Sequence, residues 1–242
     1  MDRGDEGLAL KGFFSQHPRA CRWLSPFLLA CSVYFLLWTP ELRPSWAAAL
    51  LKGLPVLCLV LLLGAVPALR GHARLLQGTL LCSAVGDTCL VWPETFLHGV
   101  AAFAAAHHLY LRAFGLSPLW LGLLLLALLA AATYLSVLLP HLQPAMARPM
   151  AAYALLLAAV LWRGLARGGS ASLGALLFAV SDAVLAWDAF VQPLPHSHLV
   201  TMATYYAVQA LITLSVLRSP EAQGRAGSTE GRTKSPSCRD LT

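Results

Sequence analysis

Two aspartates stand inside apolar stretches of this chain, each in the same short setting. Gly86-Asp87-Thr88-Cys89-Leu90-Val91-Trp92 reads against Ser181-Asp182-Ala183-Val184-Leu185-Ala186-Trp187, with a small residue before each Asp and Leu and Trp at matching offsets. A carboxylate in the hydrocarbon layer of a membrane is costly unless it faces a partner or a wet cavity, so an intramembrane Asp marks a functional site by default. Two such groups brought together can divide the work of acid–base chemistry. One keeps its proton and donates it; the other stays ionised, steadies a developing cation and orients water. The competing reading is a pair of structural aspartates that hydrogen-bond neighbouring helices.

The elements that must position them follow from composition. With 58% hydrophobic and 12% charged residues, the chain is too apolar for an ordinary soluble domain. Its apolar runs reach the ~20 residues that a membrane-crossing helix needs. Eight spans are expected, at 23–39, 46–64, 74–92, 96–114, 118–139, 146–163, 171–191 and 198–217. Breaks fall at Thr39-Pro40, Pro67, Pro93-Glu94, Ser117-Pro118, Pro140 to Pro144, Gly168-Gly169, and Pro193 with Pro195. The fold class is therefore an all-α polytopic membrane protein. Residues 1–22 form a cytoplasmic tail, 23–217 an eight-span catalytic domain, and 218–242 a polar, disordered cytoplasmic tail. No cleavable leader is expected; the first span reads as an uncleaved anchor. The turn after the third span is the tightest, which makes spans three and four an antiparallel hairpin.

Lysine and arginine sort between the two sides, fourteen on the side of both tails and the even-numbered loops against two (Arg43 and Arg148) on the other. By the positive-inside rule both termini are cytoplasmic. A nucleic-acid partner would need the basic residues gathered with aromatics on one folded face, whereas these flank the spans. The six cysteines form no CxxC pair and read as buried apolar residues.

A second repeat extends the first. Phe103-Ala-Ala-Ala-His107-His108-Leu-Tyr110 matches Tyr205-Tyr206-Ala-Val-Gln209-Ala-Leu-Ile212, so His107 falls opposite Gln209. The halves would be two parallel four-helix repeats, an arrangement that puts a site at their interface near the midplane. At a helical rise of about 1.5 Å per residue, Asp87 lies roughly 20 Å from the cytoplasmic end of its span. Asp182, Lys52 and Tyr205 come out at about 18 Å, Tyr153 near 15 Å, Gln209 near 12 Å and His107 near 10 Å on the same rise. Asp87, Asp182, Lys52, Tyr205 and Tyr153, five polar residues from five helices, thus share a layer. Lys52 is read there as counter-charge to the carboxylates rather than as a lysine snorkelling to the surface. His107 shares a face with Phe103 and Tyr110. His196-Ser-His198 reads as a solvated loop with no third metal ligand at a recognisable spacing. Asp188 reads as off the Asp182 face and close to water, and Trp92 and Trp187 as interfacial aromatics.

At these residues the chain resembles the lysoplasmalogenase, or YhhN-like, family of eight-span membrane hydrolases. The matching elements are Lys52-Gly-Leu-Pro55, Gly86-Asp87, Phe103-x-x-x-His107-x-x-Tyr110, Gly174-x-x-x-Phe178-x-x-Ser181-Asp182 and Tyr205-Tyr206-x-x-Gln209. Gly53 departs from the Lys-Pro pair usual there and puts the local backbone of span two in question. The resemblance implies hydrolysis of the vinyl ether bond of 1-alkenyl-lysophospholipids with choline or ethanolamine heads, giving a fatty aldehyde and a glycerophosphodiester. It implies Asp87 and Asp182 as catalytic residues and Lys52 as their charge partner. His107, Tyr110, Tyr153, Ser181, Tyr205 and Gln209 would bind substrate or support the site. No metal or organic cofactor is needed. A lysoplasmalogen substrate and membrane lipids are the expected partners, with a homodimer left open, and the endoplasmic reticulum membrane is the expected location. Two other readings use the same polar layer: a transporter or lipid-binding receptor, and a metal-dependent membrane hydrolase drawing on His107, His108 and the acids.

Overall fold

The computed structural model describes residues 18–37, 44–65, 72–115 and 117–217, and these are helical throughout their regular parts. Among the described residues the α-helices are α1 (Pro18–Leu37), α2 (Trp46–Gly64), α3 (His72–Cys89), α4 (Phe96–Phe114), α5 (Leu121–Leu138), α6 (Pro144–Arg167), α7 (Gly169–Phe190) and α8 (Ser197–Leu217). Among the described residues no strand occurs. Four helices are long and apolar enough to cross a membrane by length and composition: α2, α5 with the 3₁₀ turn Leu139–His141 that follows it, α6 and α7. The tail readings, Thr39-Pro40, Pro67, and the basic residues Arg3, Lys11, Arg43 and Arg70 fall outside the described residues.

Helix α1 begins at Pro18, earlier than the expected 23. Proline is well placed there, because its missing N–H is one of the donors a first turn leaves unpaired anyway. Helix α2 starts at the N-cap Ser45, whose hydroxyl accepts from the Ala48 N–H at 3.2 Å, and runs unbroken through Gly53 and Pro55. The departure at Gly53 leaves span two intact. Helix α3 turns into α4 through the 3₁₀ turn Pro93–Thr95, and these two helices form the expected hairpin. Helix α6 passes almost directly into α7, because Gly168 and Gly169 take φ of 72° and 57°, a left-handed conformation that costs glycine little.

Neighbouring helices pack in the order α1, α2, α3, α4, α6, α7, α8, and α8 closes the ring on α2, with smaller contacts to α1 and α3. Helix α5 stands outside that order, packed on α6 and tied to α7 where the Tyr134 hydroxyl donates to the Ala183 carbonyl at 2.6 Å. Exposed Leu125, Leu126 and Leu129 cover its outer side. The main core lies where α1, α2, α3 and α8 meet, around Tyr34, Val56, Leu59, Leu80 and Val208, all wholly buried.

Arginine placement does more than mark a side. Arg163, fully buried near the end of α6, donates from Nε to the Gly115 carbonyl at 2.7 Å and from its two terminal nitrogens to Pro118 and Ser117 at 2.6 and 2.9 Å. Arg167 donates to the Phe114 carbonyl. A planar five-donor fork satisfies several carbonyls at once, and here it pins the α4–α5 connection to α6. A cation beside the C-terminal end of α4 is also favoured by the helix dipole.

Candidate active site

Polar side chains from six helices turn toward the middle of the bundle. On α3, Asp87 is almost wholly buried and accepts a hydrogen bond from the Tyr205 hydroxyl of α8 at 2.7 Å. On α7, Asp182 accepts from the Tyr153 hydroxyl of α6 at 2.6 Å, also through Oδ2. Both carboxylates line one cavity of about 80 Å³, and Lys52 of α2 lines it with them. Each acid is thus held by a tyrosine from a different helix.

The surroundings of the two acids differ in charge. Among the described residues Lys52 makes no direct ion pair with either carboxylate, though it lines the cavity with Asp87, and the contact of ion-pair length is His107 Nε2 to Asp182 Oδ2 at 3.8 Å. His107 Nδ1 lies 2.7 Å from the Phe103 carbonyl. A carbonyl can only accept, so Nδ1 carries the hydrogen, and in the neutral ring Nε2 presents its lone pair toward Asp182. That nitrogen is buried and has no hydrogen-bond partner among the described residues. Tyr110 donates to Gln209 Oε1 at 3.0 Å, which ties α4 to α8 behind the site. The Ser181 hydroxyl donates to the Thr201 carbonyl at 3.0 Å and fastens α7 to α8 beside Asp182. Tyr206 donates to the Lys52 carbonyl at 2.7 Å and fixes the backbone that carries the lysine.

Close helix approach delivers these groups. A Cβ on Gly86 would stand 2.6 Å from the Phe103 ring, so the residue before Asp87 must lack one for α3 and α4 to meet there. Phe103 in turn packs edge-on against Tyr205, with ring centroids 6.0 Å apart. The Gly86 contact, the Phe103 ring and the Tyr205 hydroxyl form a line of contact ending on Asp87.

Two expectations are corrected. Asp188 is not turned away from the Asp182 site: it lines the same cavity from near the end of α7, and its Oδ1 accepts the Leu194 N–H at 2.8 Å. His198 is not part of a solvated loop. Helix α8 already begins at Ser197, which brings His198 into the cavity wall with Nε2 2.6 Å from the Tyr34 hydroxyl. Just before it, His196 takes a left-handed φ of 60°. Among the described residues no three His, Cys, Asp or Glu side chains converge on a metal-binding geometry.

A family model described as the YhhN family matches residues 47–216, from the start of α2 to the end of α8. The chain belongs to the YhhN family. Within it, the chain is 62% identical over 221 residues to the human protein named lysoplasmalogenase TMEM86B, covering 91% of this chain and 98% of that protein. The pig protein of the same name is 62% identical over 222 residues, with the same coverage. Bovine lysoplasmalogenase TMEM86A is 39% identical over 216 residues, 82% of this chain and 90% of that protein. No solved structure matches the chain.

Proposed function

We propose that this chain is a lysoplasmalogenase: an eight-span enzyme of the endoplasmic reticulum membrane, both termini cytoplasmic, that hydrolyses the vinyl ether of 1-alkenyl-lysophosphatidylcholine and -ethanolamine. The observation that carries the reading is the shared cavity, which Asp87, Asp182 and Lys52 line together, within a family whose close relatives bear that name. The order of helix packing supports a parallel repeat, since α2–α3, α3–α4 and α4–α6 recur as α6–α7, α7–α8 and α8–α2.

The surroundings favour Asp182 as the acid and Asp87 as the carboxylate that stays ionised. Asp87 shares its cavity wall with Lys52, whose ammonium form favours a carboxylate, whereas Asp182 lies 3.8 Å from His107 Nε2, which as the acceptor nitrogen of the ring tolerates a carboxylic acid. Asp182 transfers its proton to the alkene carbon distal to the ether oxygen; the alkene electron pair forms the new C–H bond, and an oxocarbenium ion results. Asp87 faces that cation and takes a proton from water as the water oxygen adds to it. The hemiacetal then gives its hydroxyl proton to Asp182, the bond to the glycerol oxygen breaks, and Asp87 protonates the leaving oxygen. One water is consumed, both acids regain their starting states, and a fatty aldehyde leaves.

Purified protein in detergent or liposomes tests this by mass spectrometry. Aldehyde and the glycerophosphodiester should appear in equal amounts from alkenyl lysolipid, and not from the alkyl ether, which has no alkene to protonate. Transport of the intact lipid into sealed vesicles without aldehyde would sink the reading.

A further inference from the structure

A second cavity of about 220 Å³ lies between α5, α6 and α7, and Asp182 and Tyr153 stand in its wall. The two cavities therefore meet at one carboxylate, and their linings differ in kind. On the side of Asp182 toward the α7–α8 connection the first cavity has polar groups in its wall, Asp188, Ser197, His198 and Thr201, beside apolar Leu185 and Met202. On the side toward the Arg167 end of α6 it is made of Ala131, Ala154, Ala158 and Ala179 with Leu157 and Leu161. The two tyrosine hydroxyls there are already spent, Tyr134 on the Ala183 carbonyl and Tyr153 on Asp182. A wall with no free donor takes hydrocarbon in preference to water. From Tyr153 to Leu161 it runs about 12 Å along α6 at the helical rise.

Covalent connectivity names the occupant. In a vinyl ether the carbon that is protonated is itself the first carbon of the aliphatic chain, so wherever the acid touches the alkene, the chain must leave from that point. We propose that the groove between α5, α6 and α7 holds the hydrocarbon chain of a single-chain alkenyl lipid, with its head toward Asp188 and His198 and its vinyl ether against Asp182. This rests on the hydrolase reading above and adds to it the direction of the substrate and the element that measures its chain. Helix α5, outside the ring of the other helices and exposed along its outer side, becomes the outer wall of a chain-binding site. Exposed Ala130 at its rim leaves a way in from the surrounding lipid.

The test compares kcat/KM for octenyl and hexadecenyl lysolipids in the full-length protein. Ala131→Phe puts a ring across the far part of the groove. It should lower the hexadecenyl value at least ~10-fold more than the octenyl value, on the scale by which apolar pockets sort chain length. Leu161→Ala lengthens the groove and should move the ratio the other way. A parallel fall for both substrates would show that the chain lies elsewhere and overturn the proposal. A non-hydrolysable alkyl-ether lysolipid with a diazirine in mid-chain gives a readout free of turnover. Its label should fall on peptides of α5 and α6 and be competed by unlabelled lysolipid. Label on other helices, or label that lysolipid does not compete, would assign the groove to bulk lipid or a second copy of the chain and overturn the proposal. If the wild type releases no aldehyde while competed label still maps to α5 and α6, the hydrolase reading fails and the chain site stands.

Discussion

Asp87 and Asp182 are each fastened by one tyrosine hydroxyl, yet one shares its cavity wall with Lys52 and the other lies 3.8 Å from His107 Nε2. An Asn at either position keeps the volume and removes the titratable proton. Each single change should lower kcat/KM by at least the ~10²-fold typical of general acid–base catalysis. Because the two act as a unit, the double variant should be little worse than the poorer single. Near-normal turnover by either folded single variant would exclude the paired-carboxylate mechanism. These residues were legible because each is a polar intrusion in an apolar run, and burial of such a group demands a reason. Asp188 and His198 were not legible in the same way. Asp188 follows Asp182 by six residues, a spacing that points it off the Asp182 face, and His198 follows Pro195, where sequence alone points to an exposed turn; the packing of α8 on α7 brings both to one cavity wall.

Helices set these groups by how closely they can approach, and the α3–α4 pair shows it at one position. Adding a methyl to a helical glycine contributes up to ~1 kcal/mol through propensity alone. At Gly86 the new Cβ would lie 2.6 Å from the Phe103 ring, a distance at which something must shift. Overpacking of that kind costs about 1–3 kcal/mol, so the clash outweighs the propensity gain. Gly86→Ala should lower the melting temperature in detergent, and adding Phe103→Leu should recover most of the loss. Activity should fall further than stability does, because the displaced ring leans on Tyr205 and through it on Asp87. A stabilised Gly86→Ala with unchanged turnover would show that the helices are free to separate there. The hairpin was legible from Pro93 and the tight turn, and helix boundaries followed from proline and glycine. The outlying place of α5 was not, because a helix apolar on every side carries no periodicity to say which side faces protein. The buried fork of Arg163 was equally hidden: a basic residue at a span end satisfies the positive-inside rule whether or not it also holds a loop.

At the scale of the molecule, length and composition alone mark four helices as able to cross a membrane, and the rest of the eight-span reading depends on where their polar residues point. Helix α3 carries Thr79, Ser83 and Asp87, all buried, while Leu81 and Val85 are exposed. Its outward surface is apolar although its average is not, and its eighteen residues give roughly 27 Å of helix against a hydrocarbon core of ~30 Å. Helix α8 is alike, burying Thr201, Gln209 and Thr213 and exposing Leu199 and Val200. A helix that sends its polar residues inward needs no long apolar window to sit in lipid. On the proposed eight-span reading the chain returns to the side where it began, and the fourteen-to-two bias of basic residues is the argument for taking that side as the cytoplasm. Tags at the two ends should therefore both be cut by protease in sealed, cytoplasmic-side-out microsomes. A cysteine placed at Gln143, between α5 and α6, should stay protected from an impermeant thiol reagent until the vesicles are opened. One placed at Gly168, between α6 and α7, should react at once. Seven or nine crossings would protect one tag and expose the other, and that single result is enough to overturn the eight-span arrangement.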